Sequence, residues 1–169
     1  MFVAADQIFC HLVGDFVAQS DWMASRKTQS SWPCLIHALA YTICFIPLTC
    51  IWSDIDWSPV SWTPSSISWK ALSFIAVTHF IVDRWRLARY VCWLKNFLAP
   101  PWIERLYEDG HPKAGEIKDR IRNFPWSECS STGYDAGKPP FMAIWLMIIA
   151  DNVVHVLCNG IALKYIGHS

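Results

Sequence analysis

The sequence predicts an all-α protein, a four-helix transmembrane bundle with a cytoplasmic loop between helices three and four. Three observations lead there. Hydrophobic residues make up 53% of the 169 and charged residues only 17%, against roughly 25% charged in a typical soluble domain. Eleven residues are tryptophan, which favours membrane–water interfaces. Four apolar stretches also approach the ~20 residues needed to cross hydrocarbon.

Helix one is expected over residues 2–19. Gln7, His11, Asp15 and Gln19 form a polar stripe on it, because residues four apart share a helix face. No basic segment precedes this stretch, and polar residues interrupt it, so it reads as a retained helix rather than a cleavable signal. A short polar loop with Arg26 and Lys27 follows. Helix two is expected over 33–52, with Pro33 in its first turn, His37 and Tyr41 on one face, and Pro47 placed to kink it. Residues 53–66, rich in Ser, Pro, Asp and Trp, read as an interfacial loop. Helix three is expected over 67–95, leaving the bilayer through the basic, aromatic run Arg84–Arg89. The polar stretch from Asn96 to Pro140 reads as the cytoplasmic loop, with a short helix near 114–122. The glycines and paired prolines of 132–141 suggest an ordered turn or lid. Helix four is expected over 140–166.

Lys and Arg set the orientation. Loops one and three hold most of them, the second loop has none before Lys70, and the termini are nearly free of them. The expectation is a multi-pass protein of a bacterial inner membrane with both termini periplasmic. Formal net charge is zero and no extended basic block is present, which argues against a nucleic-acid partner. Membrane lipid is the expected partner, and self-association is left open. The seven cysteines show no C-x-x-C pair and read as small buried hydrophobes. Cys34, three residues before His37, stands closest to the candidate site.

Each apolar stretch carries a histidine, and three carry an aspartate four residues away: His11 with Asp15, His79 with Asp83, and Asp151 with His155. His37 stands on the remaining stretch. A spacing of four places two side chains on one helix face, about 6 Å apart at Cβ, which suits two ligands of one metal ion. Ionisable residues within membrane-length segments are costly and mark functional sites. The predicted topology puts all seven between the bilayer middle and its cytoplasmic side. His11, Asp15, His37, His79, Asp83, Asp151 and His155 are therefore the candidate metal ligands. Imidazole and carboxylate suit a divalent transition metal, zinc first among them, and the set suffices for one or two ions. A metal-free polar network or proton relay is the competing reading. His111 and His168 read as solvated.

Around these ligands, Arg84 and Arg86 are candidates to clamp a lipid phosphate, beside their simpler reading as basic anchors. Tyr41 is a candidate to orient His37 or donate a proton, and Asn159 to support the fourth-helix pair. Asp15, Asp83 and Asp151 are candidate catalytic carboxylates. Two metals can activate water and clamp a phosphoryl group. The leading expectation is a membrane-embedded, metal-dependent hydrolase acting on a phosphoester of a lipid or lipid-linked molecule from the cytoplasmic side. The alternatives are a non-enzymatic phage membrane factor, such as one for superinfection exclusion, with a structural metal, and a di-iron membrane oxidative enzyme.

The segments 11–19 (HLVGDFVAQ), 21–23 (DWM), 37–41 (HALAY), 79–83 (HFIVD) and 150–155 (ADNVVH) resemble an uncharacterised family of small membrane proteins of tailed phages and bacteria. The resemblance spans nearly the whole chain and implies a phage or bacterial source and an inner-membrane location. Separately, the pairs His11/Asp15 and His79/Asp83 are similar to the zinc sites of the all-α phospholipase C and P1-type nuclease enzymes, a likeness that would make these four residues metal ligands. Those enzymes are secreted and use an N-terminal tryptophan as a ligand, which this chain lacks, and the third pair here is inverted.

Overall fold

The computed structural model describes residues 4–46, 68–98, 126–134 and 138–166. The described residues are mostly helical and include no strand. In chain order the helices are α1 (Ala4–Leu12), a π-helical turn (Val13–Val17), α2 (Asp21–Arg26), α3 (Ser31–Ile43), α4 (Trp69–Arg84), α5 (Ala88–Phe97) and α6 (Pro140–Ile161), which continues as a π-helical segment (Ala162–Ile166). A 3-10 turn covers Trp126–Glu128. The interfacial loop, the 114–122 helix, Pro47, His111 and His168 lie outside the described residues.

The chain divides into two compact units, one of residues 1–87 with 151–169, the other of 88–150. In the first, α3 packs along α4, α2 lies on α3, the Val13–Val17 turn meets α3, and the C-terminal π segment meets α4. Its apolar core is modest: Cys10, Tyr41, Phe45, Ala71, Leu72, Ile75, Ala162 and Leu163. The same unit buries His11, His37, His79, Asp83, His155 and Asn159. Large apolar side chains instead lie on its exterior: Phe16 is 61% exposed, Trp32 63%, Ile43 61%, Trp69 68% and Leu157 62%. In the second unit, Cys92, Tyr134 and Ala143 form a small core, and Tyr90 stacks on Trp126 at 4.7 Å. Gly133, at φ +78°, passes so close to the Arg89 carbonyl that a Cβ would stand 1.9 Å from its oxygen.

The expected helices are corrected at several points. Helix one stops as an α-helix at Leu12. Ala18 N–H then donates to the Val13 carbonyl at 2.9 Å, a five-residue step. The expected first loop contains α2, whose Ser20 hydroxyl accepts from Met23 N–H at 3.4 Å, a serine N-cap. Helix two starts at Ser31 and ends at Ile43 rather than spanning 33–52. Helix three is not continuous. Ser68 caps α4 by accepting from Ala71 N–H, and α4 ends in a Schellman reversal: Leu87 N–H donates to the Val82 carbonyl at 3.0 Å and Arg86 N–H to that of Asp83 at 3.2 Å. Arg86 holds the left-handed position at φ +49°, where glycine is usual. The basic run that seemed to prolong helix three is thus the turn that ends it.

The four-span bundle is not supported. α1 has 9 residues, α3 13 and α4 16, short of the ~20 that cross hydrocarbon. Among the described residues one helix, Pro140–Ile166, is long and apolar enough, with 27 residues and a mean hydropathy of 2.0.

The reversal at Arg86 generates a prediction. Arg86→Gly should fold with stability within about 1 kcal/mol of wild type, because glycine adopts positive φ without the side-chain clash. Arg86→Val should lose more, since a β-branched residue is poorly accommodated there. Thermal unfolding of the purified variants checks the ranking, and equal stability of the two would refute the assignment of the turn.

Candidate metal centre

The seven predicted ligands converge within the first unit. α1 brings His11, the π turn brings Asp15, α3 brings His37, α4 brings His79 and Asp83, and α6 brings Asp151 and His155. The i, i+4 pairing works as expected on α4, where His79 Nε2 lies 3.2 Å from Asp83 Oδ2. On α6, His155 Nε2 lies 3.6 Å from Asp151 Oδ2. The first pair spans the junction of α1 and the π turn, and His11 Nδ1 lies 3.4 Å from Asp15 Oδ2.

Four donor atoms form the heart of the site. His37 Nε2 and His79 Nε2 are 2.9 Å apart. Each lies 3.2 Å from Asp83 Oδ2. Asp15 Oδ1 lies 3.3 Å from His37 Nε2 and 3.4 Å from His79 Nε2. Ligands bound about 2.0–2.1 Å from a tetrahedral ion stand about 3.3–3.4 Å from one another. These five separations are on the scale of ligands that share one cation, with Asp15 and Asp83 each approaching the same two imidazole nitrogens. Asp15 Oδ1 is buried without a hydrogen-bonded partner among the described residues, a costly state for a carboxylate oxygen that a cation would relieve.

Asp83 also turns outward from this set. Its other oxygen, Oδ1, lies 3.4 Å from His155 Nε2, and His155 in turn meets Asp151. His155 thus stands between the two carboxylates, of which Asp151 is the more accessible, with 28% of its side chain exposed. The two groups of residues whose donor atoms fall close enough to share an ion are Asp15, His37 and His79, and His79, Asp83 and His155.

Tyr41 holds the rings. Its phenol stacks on His79, centroids 3.7 Å apart at 19°. Asn159 Nδ2 donates to the Tyr41 hydroxyl at 2.6 Å. Tyr41 Oη lies 2.8 Å from His11 Nδ1, and His11 Nε2 lies 2.7 Å from Asn152 Oδ1. The chain is consistent when the phenol donates to Nδ1 and Nε2–H donates to the asparagine. His11 is then committed at both nitrogens and acts beside the donor sets. Gln7 Nε2 donates to the Val156 carbonyl, tying α1 to α6. The close approach depends on Gly14, where a Cβ would lie 2.4 Å from Tyr41 Cδ2.

Lys27 reaches the site unannounced by the helical pattern. Its Nζ lies 2.9 Å from Asp83 Oδ2 and donates to Gln19 Oε1 at 3.0 Å. Burial pulls the ammonium pKa down, but Asp83, then Asp15 and Asp151, outweigh it and raise it above its ordinary value. In the sequence Lys27 reads only as a basic loop residue. Its one signal is proximity to Gln19, the end of the polar stripe.

The other candidates separate. Arg84 donates to the Thr28 carbonyl at 2.6 Å, to the Gln29 carbonyl and to the Ser31 hydroxyl, so it fastens the loop between α2 and α3. Arg86 forms the reversal after α4. Cys34 turns its thiol toward the Phe80 carbonyl at 3.6 Å. No disulfide joins the described cysteines.

These features define a helical protein with a buried His/Asp cluster able to hold a metal ion. The chain belongs to the family described as protein of unknown function (DUF3307), whose model matches residues 3–100. No curated protein and no solved structure matches it. The matched region carries His11, Asp15, Lys27, His37, Tyr41, His79 and Asp83, while Asp151 and His155 lie beyond it.

Two substitutions test this packing. Gly14→Ala should cost about 1–3 kcal/mol through overpacking against Tyr41. Tyr41→Phe should cost about 1–3 kcal/mol by stranding the Asn159 amide and His11 Nδ1. Thermal unfolding measures both, and wild-type stability in Tyr41→Phe would break the proposed chain of hydrogen bonds.

Proposed function

We propose that this chain is a membrane-embedded, metal-dependent hydrolase that cleaves a phosphoester in a lipid or lipid-linked substrate, reached from the cytoplasmic side of a bacterial inner membrane. The observation that carries the reading is a pair of adjoining donor groups, Asp15, His37 and His79, and His79, Asp83 and His155, with Asp151 beside His155 at 3.6 Å. A group of three protein donors leaves a position for water or substrate. Zinc fits the mixture of imidazole and carboxylate. Paired ions are suited to activating water and clamping a phosphoryl group.

Charge supports an anionic substrate. With neutral imidazoles, three carboxylates against the Lys27 ammonium leave the metal-free centre negative. Two divalent ions would make it positive. The first unit's distribution of polarity supports the lipid setting: its interior holds imidazoles, carboxylates and amides while its exterior is apolar, and apolar exteriors of this extent mark membrane or partner surfaces. The orientation rests on the Lys and Arg asymmetry of the loops.

One observation favours a second reading. Asp15 and Asp83 both approach the His37 and His79 nitrogens, within 3.2–3.4 Å, so a single ion held by all four residues would be structural, as in a non-enzymatic membrane factor.

Elemental analysis of the full chain, purified without chelators, should find zinc at one to two equivalents. His79→Ala and Asp83→Ala should fall below about a tenth of an equivalent, because the metal site loses a ligand. Asp151→Asn and His155→Ala should retain the first ion yet lose hydrolysis of lipid phosphodiesters and pyrophosphates by about 100-fold or more. Metal-free wild-type protein would defeat the reading. Metal-loaded protein inert toward the whole panel would put the structural-metal reading in its place.

A further inference from the structure

We infer that Lys27 is a resident cation of this centre, which an incoming metal ion displaces from Asp83, so that Lys27 sets the affinity and loading of the metal site. The inference rests on the metal reading above. Its basis is that one atom, Asp83 Oδ2, serves two claimants. It lies 3.2 Å from both His37 Nε2 and His79 Nε2, the position of a metal ligand. The same oxygen lies 2.9 Å from Lys27 Nζ.

An ammonium this close to a divalent ion is repelled by it, with little water to screen the repulsion. The Lys27 side chain is only 18% exposed and that of Asp83 2%. Like charges a few ångströms apart in such surroundings do not coexist without loss of affinity. In the metal-free chain, however, the ammonium is useful. It offsets buried carboxylates that would otherwise repel one another, and an unpaired buried charge is strongly destabilising. Lysine suits the task better than arginine. It carries a compact point charge on a flexible stem, and can therefore withdraw without disturbing helix packing.

The chain supplies both a tether and a destination. Lys27 directly follows α2, and the loop beyond it is fastened at Thr28, Gln29 and Ser31 by Arg84. The backbone near Lys27 is therefore anchored while the side chain is long enough to swing. Gln19 Oε1 already accepts a hydrogen bond from Nζ at 3.0 Å and offers a neutral partner that the ammonium keeps when it leaves Asp83.

The test compares wild-type full-length protein with Lys27→Met and Lys27→Arg, using zinc alone as ligand and a chromophoric chelator as competitor. Lys27→Met should bind zinc at least about tenfold more tightly than wild type, the scale of one lost like-charge contact. Its metal-free form should melt at a lower temperature than wild type, and zinc should raise its melting temperature by more. Lys27→Arg, which keeps the charge, should stay near wild-type zinc affinity. Equal or weaker zinc binding by Lys27→Met, with wild-type protein binding zinc normally, would overturn the role of Lys27 and leave the metal centre standing. Absence of zinc from wild type as well would remove both. The melting temperatures keep the comparison decisive: a Lys27→Met protein that is unstable without zinc and rescued by it supports the inference, and one that zinc does not rescue overturns it.

Discussion

The constraint on which the first unit depends is the burial of Asp83. Its side chain is almost wholly removed from solvent, and a carboxylate in that position survives only by being matched. Three imidazoles and one ammonium surround it: His37 and His79 at one oxygen, His155 at the other, and Lys27 against the first. These groups come from α3, α4, α6 and the loop after α2. One carboxylate therefore fixes how four segments approach one another. Its own place is set by α4, whose C-terminal reversal begins at the next residues and forbids the helix from running on.

The second level of organisation is the aromatic wall that keeps the donors in place. His37 and His79 each leave Nδ1 without a hydrogen-bonded partner among the described residues. Metal-ligating histidines commonly have that nitrogen held by a carboxylate or carbonyl. Orientation here comes from contact instead. Tyr41 stacks on His79, and the His37 and His79 rings meet edge to face at 4.8 Å. Tyr41 is itself pinned by Asn159 and by His11. The absence of a side chain at Gly14 lets the π turn approach Tyr41, and the same turn delivers Asp15. A change as small as one methyl at residue 14 would thus be felt at both Asp15 and His79.

Much of the site was legible because helical periodicity acts at short range. The i, i+4 rule found both members of each pair, and the length and apolarity of residues 140–166 marked the helix that became α6 with its π extension. Tyr41 and Asn159 followed from the same spacing. What the pattern could not supply was anything that breaks the α-helical period or closes through space. The five-residue hydrogen-bonding step at Val13–Val17 has no signature in side-chain alternation. The end of α4 was hidden because the left-handed position is filled by Arg86, where glycine would have announced the turn. Arg84, beside it, proved to hold the α2–α3 loop rather than stand open as a phosphate clamp. Lys27 gave no signal for a different reason: a lysine in a short polar loop is usually solvated, and only the fold returns this one to Asp83.

The distribution of polarity gives these interactions unusual weight. In a water-soluble domain, burial of apolar side chains supplies most of the driving force and buried polar groups are tolerated within it. Here the first unit places Phe16, Trp32, Trp69 and Leu157 outside and histidines, aspartate and asparagine inside. In the lipid setting proposed for it, exterior apolar residues gain little from helix association, because acyl chains are as apolar as leucine. Helix association must then draw on close packing, hydrogen bonds and charge. Gly14 against Tyr41 provides the first, the Asn159–Tyr41–His11–Asn152 chain the second, and the carboxylates with their cation the third. The polar centre is therefore the structural core as well as the candidate site. Breaking the contacts of Asp83 should loosen α3, α4 and α6 together, rather than vacate a pocket in an otherwise indifferent scaffold.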